Sequence, residues 1–297
     1  MKKIRFGVIG CGYQTTKNMA PAMAKCSSVN IHGFYDLDSG KAEEMAKKYG
    51  TRSYNHIEEL LSDTEIDAIY IATPVSSHTE LSLLAAGYDK HVLCEKPLAL
   101  NDSEAQKVSA LFKELNLVLL EGFMYQYHTQ HQFVREMIAK GEIGVPIVFY
   151  AWLGFPPFPA TDFRMIKEMG GGASLDAGCY VKHAAEMFFG RAPIDTNSVV
   201  ADDESGLDIH GSVLMDFGMG QSAILSYGMD NSYKNSYSVW GTKGEITLCR
   251  AFSIPEYEIP ICRVVNQGLV REYQLKPCNH FVVELDQFTQ MIADKVY

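Results

Sequence analysis

The chain has 297 residues, 47% of them apolar and 21% charged, with a formal net charge of −10 at pH 7. That length suits two domains better than one, and an acidic balance with no local lysine and arginine cluster opposes binding to a nucleic-acid backbone. No stretch approaches the ~18 uninterrupted apolar residues of a membrane span, and seven cysteines, an odd number with no C-x-x-C pair, suit neither a disulfide framework nor a thiolate metal centre.

A reducing, cytoplasmic setting is therefore expected. The start, MKKIRFGVIGCG, has the outline of a secretory leader, but its apolar part is short and runs into a glycine turn, so it reads as a first strand over 4–9. Helix over 19–25, strand over 30–35, helix over 41–49, strand over 68–72, helix over 78–86, strand over 91–94, helix over 102–115 and strand over 118–120 follow in order. Asn101 and Asp102 supply the start of the last of these helices, since their side chains accept from the free N–H groups of a first turn. Strands alternating with helices predict a parallel, doubly wound sheet.

From about residue 146 the pattern turns to β-rich runs at 147–153, 199–203, 212–216, 222–227, 237–240, 246–248 and 263–265, which predict a second α/β domain with a large, mostly antiparallel open sheet. The expected partition is a cofactor-binding domain over 1–121 and a substrate-binding, oligomer-forming domain over 122–297. The apolar-periodic segment 280–296 stops without a helix C-cap, so a further C-terminal piece is expected.

Gly10-Cys11-Gly12 after the first strand can bring backbone N–H groups and a helix start, through Tyr13 and Gln14, against a pyrophosphate. Thr15 stands third in the G-x-G-x-x-G/A pattern, where a small residue is usual. Asp36 ends the strand IHGFYD and lies 24 positions beyond Gly12, where a carboxylate can bind an adenosine ribose and repel a 2′-phosphate. The cofactor expected is NAD(H) in preference to NADP(H). Capping of the turn that follows is the plainer role for Asp36. Thr73 and Pro74, at the same sheet edge, suit contact with the ribose or nicotinamide, although Thr-Pro also serves simply as a turn.

Glu95-Lys96-Pro97 closes the run at 91–94, and Pro97 biases Lys96 toward extended backbone, so that this lysine projects from a strand end. In GGGASLDAGCY, Asp176 and Tyr180 are four apart and share a face if the segment is helical, behind a glycine run that reads as a flexible entry. An amine and a phenol together can manage the proton that accompanies a hydride when a carbonyl and an alcohol interconvert, and a neighbouring ammonium favours the phenolate. Tyr180 is the expected proton donor and Lys96 the polarising group. Asp176 would orient either one or bind a substrate hydroxyl, and His183 would contact substrate or serve as a second proton carrier. Arg164, ending the aromatic and proline-rich loop 155–164, suits a phosphate. His128 and His131 have helical i,i+3 spacing but lack a clear third ligand, so no metal is expected.

Through GVIGCG, IATPVSSH, CEKPLALN, EGFMYQYHTQ, GEIG, GGGASLDAGCY and WGTKGEI the chain resembles the glucose–fructose oxidoreductase, inositol dehydrogenase and MocA family over nearly its full length. EKP together with GGG…D-x-x-x-H/Y is the specific signature. The resemblance implies a Rossmann domain, a C-terminal domain whose broad sheet builds homodimers or homotetramers, Lys96 as the catalytic lysine, and Tyr180 in the acid/base place that histidine fills in the inositol dehydrogenases. It also adds His78, Glu95 and Lys96 to the cofactor contacts, and Tyr125, with Lys96 and Tyr180, to the substrate contacts. Tyrosine at 180 resembles the sugar oxidoreductases and nucleotide-sugar ketoreductases most.

The expected function is hydride transfer between a nicotinamide and a hydroxyl or keto carbon of a sugar-like or polyol-like small molecule, with a nucleotide-sugar ketoreductase in view. An aldose, inositol or dihydrodiol dehydrogenase uses the same chemistry, and a non-catalytic dinucleotide sensor is the rival from another class.

Overall fold

The computed structural model describes residues 3–296. The chain divides into two compact units, one running to Met124 and resuming at Phe281, the other spanning Tyr125–His280.

The first unit holds strands β1 (Ile4–Ile9), β2 (Val29–Tyr35), β3 (Arg52–Ser53), β4 (Ala68–Ile71), β5 (His91–Glu95) and β6 (Leu119–Gly122), with helices α1 (Ala20–Lys25), α2 (Ser39–Tyr49), α3 (Ile57–Ser62), α4 (His78–Gly87) and α5 (Asp102–Leu115) between them. All pairings are parallel, in the order β3-β2-β1-β4-β5-β6. The order reverses direction between β1 and β4, the point at which open α/β sheets leave a crevice at their carboxyl ends. Such strands are covered on both faces and read as continuous apolar runs: all four residues of β4 are buried. One cluster beneath them joins Ile9, Leu60, Ile69, Ile71, Val92 and Phe112. The start expected for α5 is present, with Asn101 Oδ1 accepting from the Glu104 N–H at 3.0 Å while its amide donates to the Glu104 carboxylate at 2.9 Å.

The second unit opens with α6 (Thr129–Ala139) and β7 (Pro146–Gly154), continues with α7 (Cys179–Phe189), and then runs through β8 (Asp195–Asp202), β9 (Asp208–Gly218), β10 (Gln221–Gly228), β11 (Lys234–Gly241), β12 (Gly244–Cys249), β13 (Ile261–Asn266) and β14 (Leu269–Gln274). These eight strands form one sheet in the order β14-β13-β12-β11-β7-β10-β9-β8. Only β7 and β10 pair in parallel. Alternation is clean on β9, where Val213, Met215 and Phe217 are buried while Ser212, Leu214 and Asp216 face outward. The chain thus carries the α/β fold expected, a doubly wound parallel sheet and a separate, mostly antiparallel one.

Its last helix, α8 (His280–Asp294), departs from the expected partition, because from Phe281 onward it belongs with the first unit rather than with the rest of 122–297. Phe288 buries its ring 5.6 Å from that of Phe6 on β1. Asp286 accepts from the Ser28 hydroxyl at 2.6 Å and the Cys26 thiol at 3.2 Å. Among the described residues no helix is long and apolar enough to cross a membrane.

Candidate active site

The glycine turn after β1 is shaped by close approach. Gly10 has φ +94°, and a Cβ there would meet the Ala72 carbonyl oxygen at 2.6 Å, so the turn has room only for glycine. A Cβ on Gly12 would meet nothing within 4 Å. The chain's own packing therefore does not require glycine at position 12, and the open space suits an outside group set against the backbone. The helix that follows makes one wide π-type turn, Thr15–Met19, closed by the Ala20 N–H on the Thr15 carbonyl, before continuing as α1. Thr15, the departure from the small-residue pattern, is fully buried and donates its hydroxyl to the Gly10 carbonyl at 2.6 Å. It pins the turn from inside and leaves the outer face open. Residues and cradle fit a dinucleotide, with Gly10, Cys11, Gly12 and the exposed Tyr13 lining it.

Asp36 is committed to the same turn. One carboxylate oxygen accepts from the Cys11 N–H at 2.7 Å and the other from the Asp38 N–H at 2.9 Å. Burial first, then the field of Asp36, lifts the Cys11 thiol to about 12, while nearby Lys41 pulls the other way. Thr73 pairs its hydroxyl with that of Ser77 at 2.7 Å. His78 is 1% exposed and sets its two ring nitrogens against the chain's own carbonyls, Nδ1 to Pro97 at 2.8 Å and Nε2 to Thr73 at 2.9 Å. Burial, the largest influence, lowers its pKa. Both nitrogens thus face the chain's own carbonyls, and the neutral ring has one N–H to donate, to the turn after β4 or to that after β5.

Glu95 plays a similar part. It accepts from the Gln14 amide at 2.9 Å and from the Tyr70 hydroxyl at 2.6 Å, tying the first helix to two strand ends. Asn18 in turn donates to Gln14 at 2.7 Å. Burial raises the Glu95 pKa against the pull of Tyr70, Gln14 and Lys96. Burial likewise raises Glu121, which accepts from the Leu98 N–H at 2.8 Å and also feels the charge of Lys96. Half-buried Lys96 thus projects from the end of β5, ahead of a cis peptide bond to Pro97, in the company of buried Glu95 and half-buried Glu121.

In the second unit the glycine run before α7 is strapped down rather than flexible. The Gly171 and Gly172 N–H groups donate to the Ile166 and Arg164 carbonyls at 3.0 and 2.9 Å, and a Cβ on Gly171 would meet the Arg164 carbonyl oxygen at 2.5 Å. Asp208 fixes the start of the following turn, accepting from the Ser174 N–H at 2.5 Å. One wide turn, Ser174–Gly178, then leads into α7 and carries Asp176. The Arg164 guanidinium donates to Asp176 at 3.1 Å and to Asp162 at 3.2 Å, and lies 4.6 Å from the centre of the Phe163 ring and 5.1 Å from that of Phe158. Burial opposes its charge, but the two aspartates outweigh it and hold Arg164 above its ordinary value. Two residues expected to meet substrate separately are thus an ion pair.

Tyr180 is buried on α7, its ring 5.7 Å from that of Tyr125 and 6.1 Å from that of Phe252. Tyr125, fully buried, places its hydroxyl 2.7 Å from His183 Nδ1. His131 is bonded to the Tyr237 hydroxyl and the Ala251 carbonyl, both at 3.0 Å, while His128 caps α6 by accepting from the Gln130 N–H. Among the described residues no group of three or more His, Cys, Asp or Glu is arranged to hold a metal ion. Sequence reasoning passed over Tyr70, Asp208, Tyr237 and Phe252. None of the four lay in a motif that could have singled it out.

Comparison with known proteins gives two family matches, an oxidoreductase family with an NAD-binding Rossmann fold over residues 4–123 and the GFO/IDH/MocA C-terminal domain over residues 131–247. A dTDP-3,4-didehydro-2,6-dideoxy-alpha-D-glucose 3-reductase of Saccharopolyspora spinosa is 36% identical over 92% of this chain and 83% of its own. One of the same description from Streptomyces antibioticus is 32% identical over 98% of this chain and 89% of its own. Among solved structures, KijD10, a 3-ketoreductase from Actinomadura kijaniata in complex with NADP and TDP-benzene, is 28% identical with a TM-score of 0.95, covering 100% of this chain and 91% of that one.

NADP in that relative overturns the expected preference for NAD(H). The expectation rested on Asp36 as a carboxylate turned toward the ribose. Its two oxygens instead accept backbone N–H groups, one from Cys11 in the glycine turn and one from Asp38 in the turn after β2, and the ammonium of Lys41 stands 3.9 Å from the neighbouring Asp38.

Proposed function

The chain belongs to the GFO/IDH/MocA family of NAD(P)-dependent oxidoreductases, and we propose that it reduces the 3-keto group of a dTDP-linked deoxysugar with NADPH. The observation that carries this reading is likeness to 3-ketoreductases along almost the whole chain, 92% in the Saccharopolyspora spinosa relative. It accompanies a glycine turn with an open cradle at Gly12 and a tyrosine buried on the wide-turned helix after GGG.

The nicotinamide, when bound, supplies the hydride that reaches the carbonyl carbon. Tyr180 gives its phenolic proton to the oxygen that becomes the alcohol, and Lys96 holds the negative charge developing on that oxygen. Gly10, Cys11, Gly12 and Tyr13 would hold the pyrophosphate, and Thr73 and Pro74 would contact the ribose or nicotinamide. Gln14, Glu95 and His78 act one step back by fixing the turns from which these groups project. Arg164, engaged by Asp176 and Asp162, serves to fix the turn that carries Asp176.

Titration with NADPH and NADH, followed by turnover on dTDP-3-keto sugars, free aldoses, polyols and dihydrodiols, tests the assignment. NADPH oxidation confined to the nucleotide sugars is expected. Turnover of free sugars or diols alone would transfer the chain to the aldose or dihydrodiol dehydrogenases, and cofactor binding with no turnover at all would favour a sensor.

We also propose a homodimer or homotetramer built on the open face of the large sheet. Register places Leu214, Ile224 and Tyr150 side by side across β9, β10 and β7, with Trp240 on the same face of β11. Leu214 and Trp240 are 50% and 52% exposed, large for apolar side chains on a regular sheet. Replacing Ile224 with Glu should yield monomers in sedimentation velocity; unchanged oligomers, or a wild type that is already monomeric, would refute this interface.

A further inference from the structure

Tyr180 does not stand alone on its side of α7. Three positions on is His183, and the ring of Tyr125 lies 5.7 Å from both the Tyr180 and the His183 rings, edge-on to the latter. The Tyr125 hydroxyl sits 2.7 Å from His183 Nδ1. His131, Phe252 and Tyr180 each approach the Tyr125 ring, at 5.3, 5.3 and 5.7 Å. Of these, His131 is itself bonded to Tyr237 and Ala251, so the wall around Tyr125 is fixed from behind.

We propose that Tyr125 and His183 are a positioning pair for Tyr180: the Tyr125 hydroxyl donates to His183 Nδ1, which holds the imidazole as its Nε2–H tautomer and holds the Tyr125 ring as the surface that sets the direction of the Tyr180 phenol. This rests on Tyr180 being the proton donor. The protonation states agree with it. Burial pushes His183 down to about 4, so the ring is neutral and Nδ1 has a lone pair to accept with. Burial, then the fields of Tyr237, Tyr180, Cys179 and Glu186, keeps Tyr125 a phenol and hence a donor. His183 is thereby removed from the candidates for the acid, since a neutral imidazole with so low a pKa is a poor proton source near neutral pH. Its second nitrogen becomes a fixed N–H donor instead.

Substitution separates the pair from simple packing. Tyr125→Phe keeps the ring and removes the bond, and kcat should fall about tenfold, the scale of one oriented hydrogen bond, with the KM for the sugar and the affinity for NADPH unchanged. His183→Leu should fall by the same factor, and the double variant should be no slower than either single one. His183→Asn restores an acceptor where Nδ1 lies and should return kcat to within about threefold of wild type. The 15N resonances of His183 should show the Nε2–H tautomer in wild type and lose it in Tyr125→Phe. Wild-type kcat in Tyr125→Phe, additive losses in the double variant, or an Nδ1–H tautomer in wild type would each overturn the proposal. Tyr180→Phe serves as the control for the reading beneath it: its full activity would remove the proton donor itself, whereas its collapse beside a neutral Tyr125→Phe would remove only the pair.

Discussion

Replacing Lys96 with Met should lower kcat/KM by about 10³, and replacing Tyr180 with Phe by about 10² to 10⁴, the range a positioned proton donor or charge-stabilising group supplies. NADPH binding should change by no more than a few-fold, because the turn at Gly10 and Gly12 is held by Thr15 and Asp36 without either side chain. Fluorescence titration for the cofactor and initial rates on the nucleotide sugar measure the two separately. The lysine variant carries a second consequence. Glu95 and Glu121 both feel the Lys96 charge, so its removal should drive these two acids still further up. A thermal melt close to that of wild type, alongside the lost activity, would show that the loss lies in chemistry. Activity within about fivefold of wild type in both variants would end the proposed roles.

The architecture was legible wherever periodicity and burial coincide. The parallel strands are apolar on both faces, so β1, β4 and β5 stand out as runs bounded by polar turns. The edges were not legible. β14 is exposed along nearly its whole length, and the first half of β8 is the polar, exposed Asp195-Thr196-Asn197-Ser198; both are strands because a neighbour offers a ladder. Helix α8 misled for a related reason. Its apolar period was plain, but the partner its face would choose was not, and Phe288 found Phe6 across the length of the chain.

At the site, residue types were readable and their bonding was not. Asp36 looked like a ribose acceptor because of its distance from Gly12 in sequence, yet its carboxylate is taken up by backbone N–H groups, one from the glycine turn and one from its own turn. His78 and Glu95 carried polar chemistry that the fold directs inward, to carbonyls, an amide and a buried phenol. Asp176 and Arg164, twelve positions apart, became partners only once the glycine run folded back on the Arg164–Ile166 turn.

The second large effect concerns stability. Glu284 on α8 is fully buried, and neither carboxyl oxygen has a hydrogen-bond partner among the described residues. Burial, then the field of Glu95, raises its pKa well above 4.5, so the folded chain holds a proton there that the unfolded chain releases near 4.5. A group raised in this way leaves stability intact below the unfolded pKa and lowers it as pH rises toward the folded one. Glu284→Gln keeps the shape and removes the titration. The amide's own unmade hydrogen bonds offset its curve by a constant, so the readout is the slope: the variant should gain on wild type with rising pH from about 5, approaching about 1.4 kcal/mol per unit. Glu95 is raised by burial in the same way, but it titrates in both proteins and so cancels from the difference. Denaturant midpoints for both proteins at pH 5, 6, 7 and 8 decide the matter. A difference that stays constant across that range would mean that Glu284 is ionised throughout, and that the interior beside Glu95 is wetter or better paired than its buried side chains indicate.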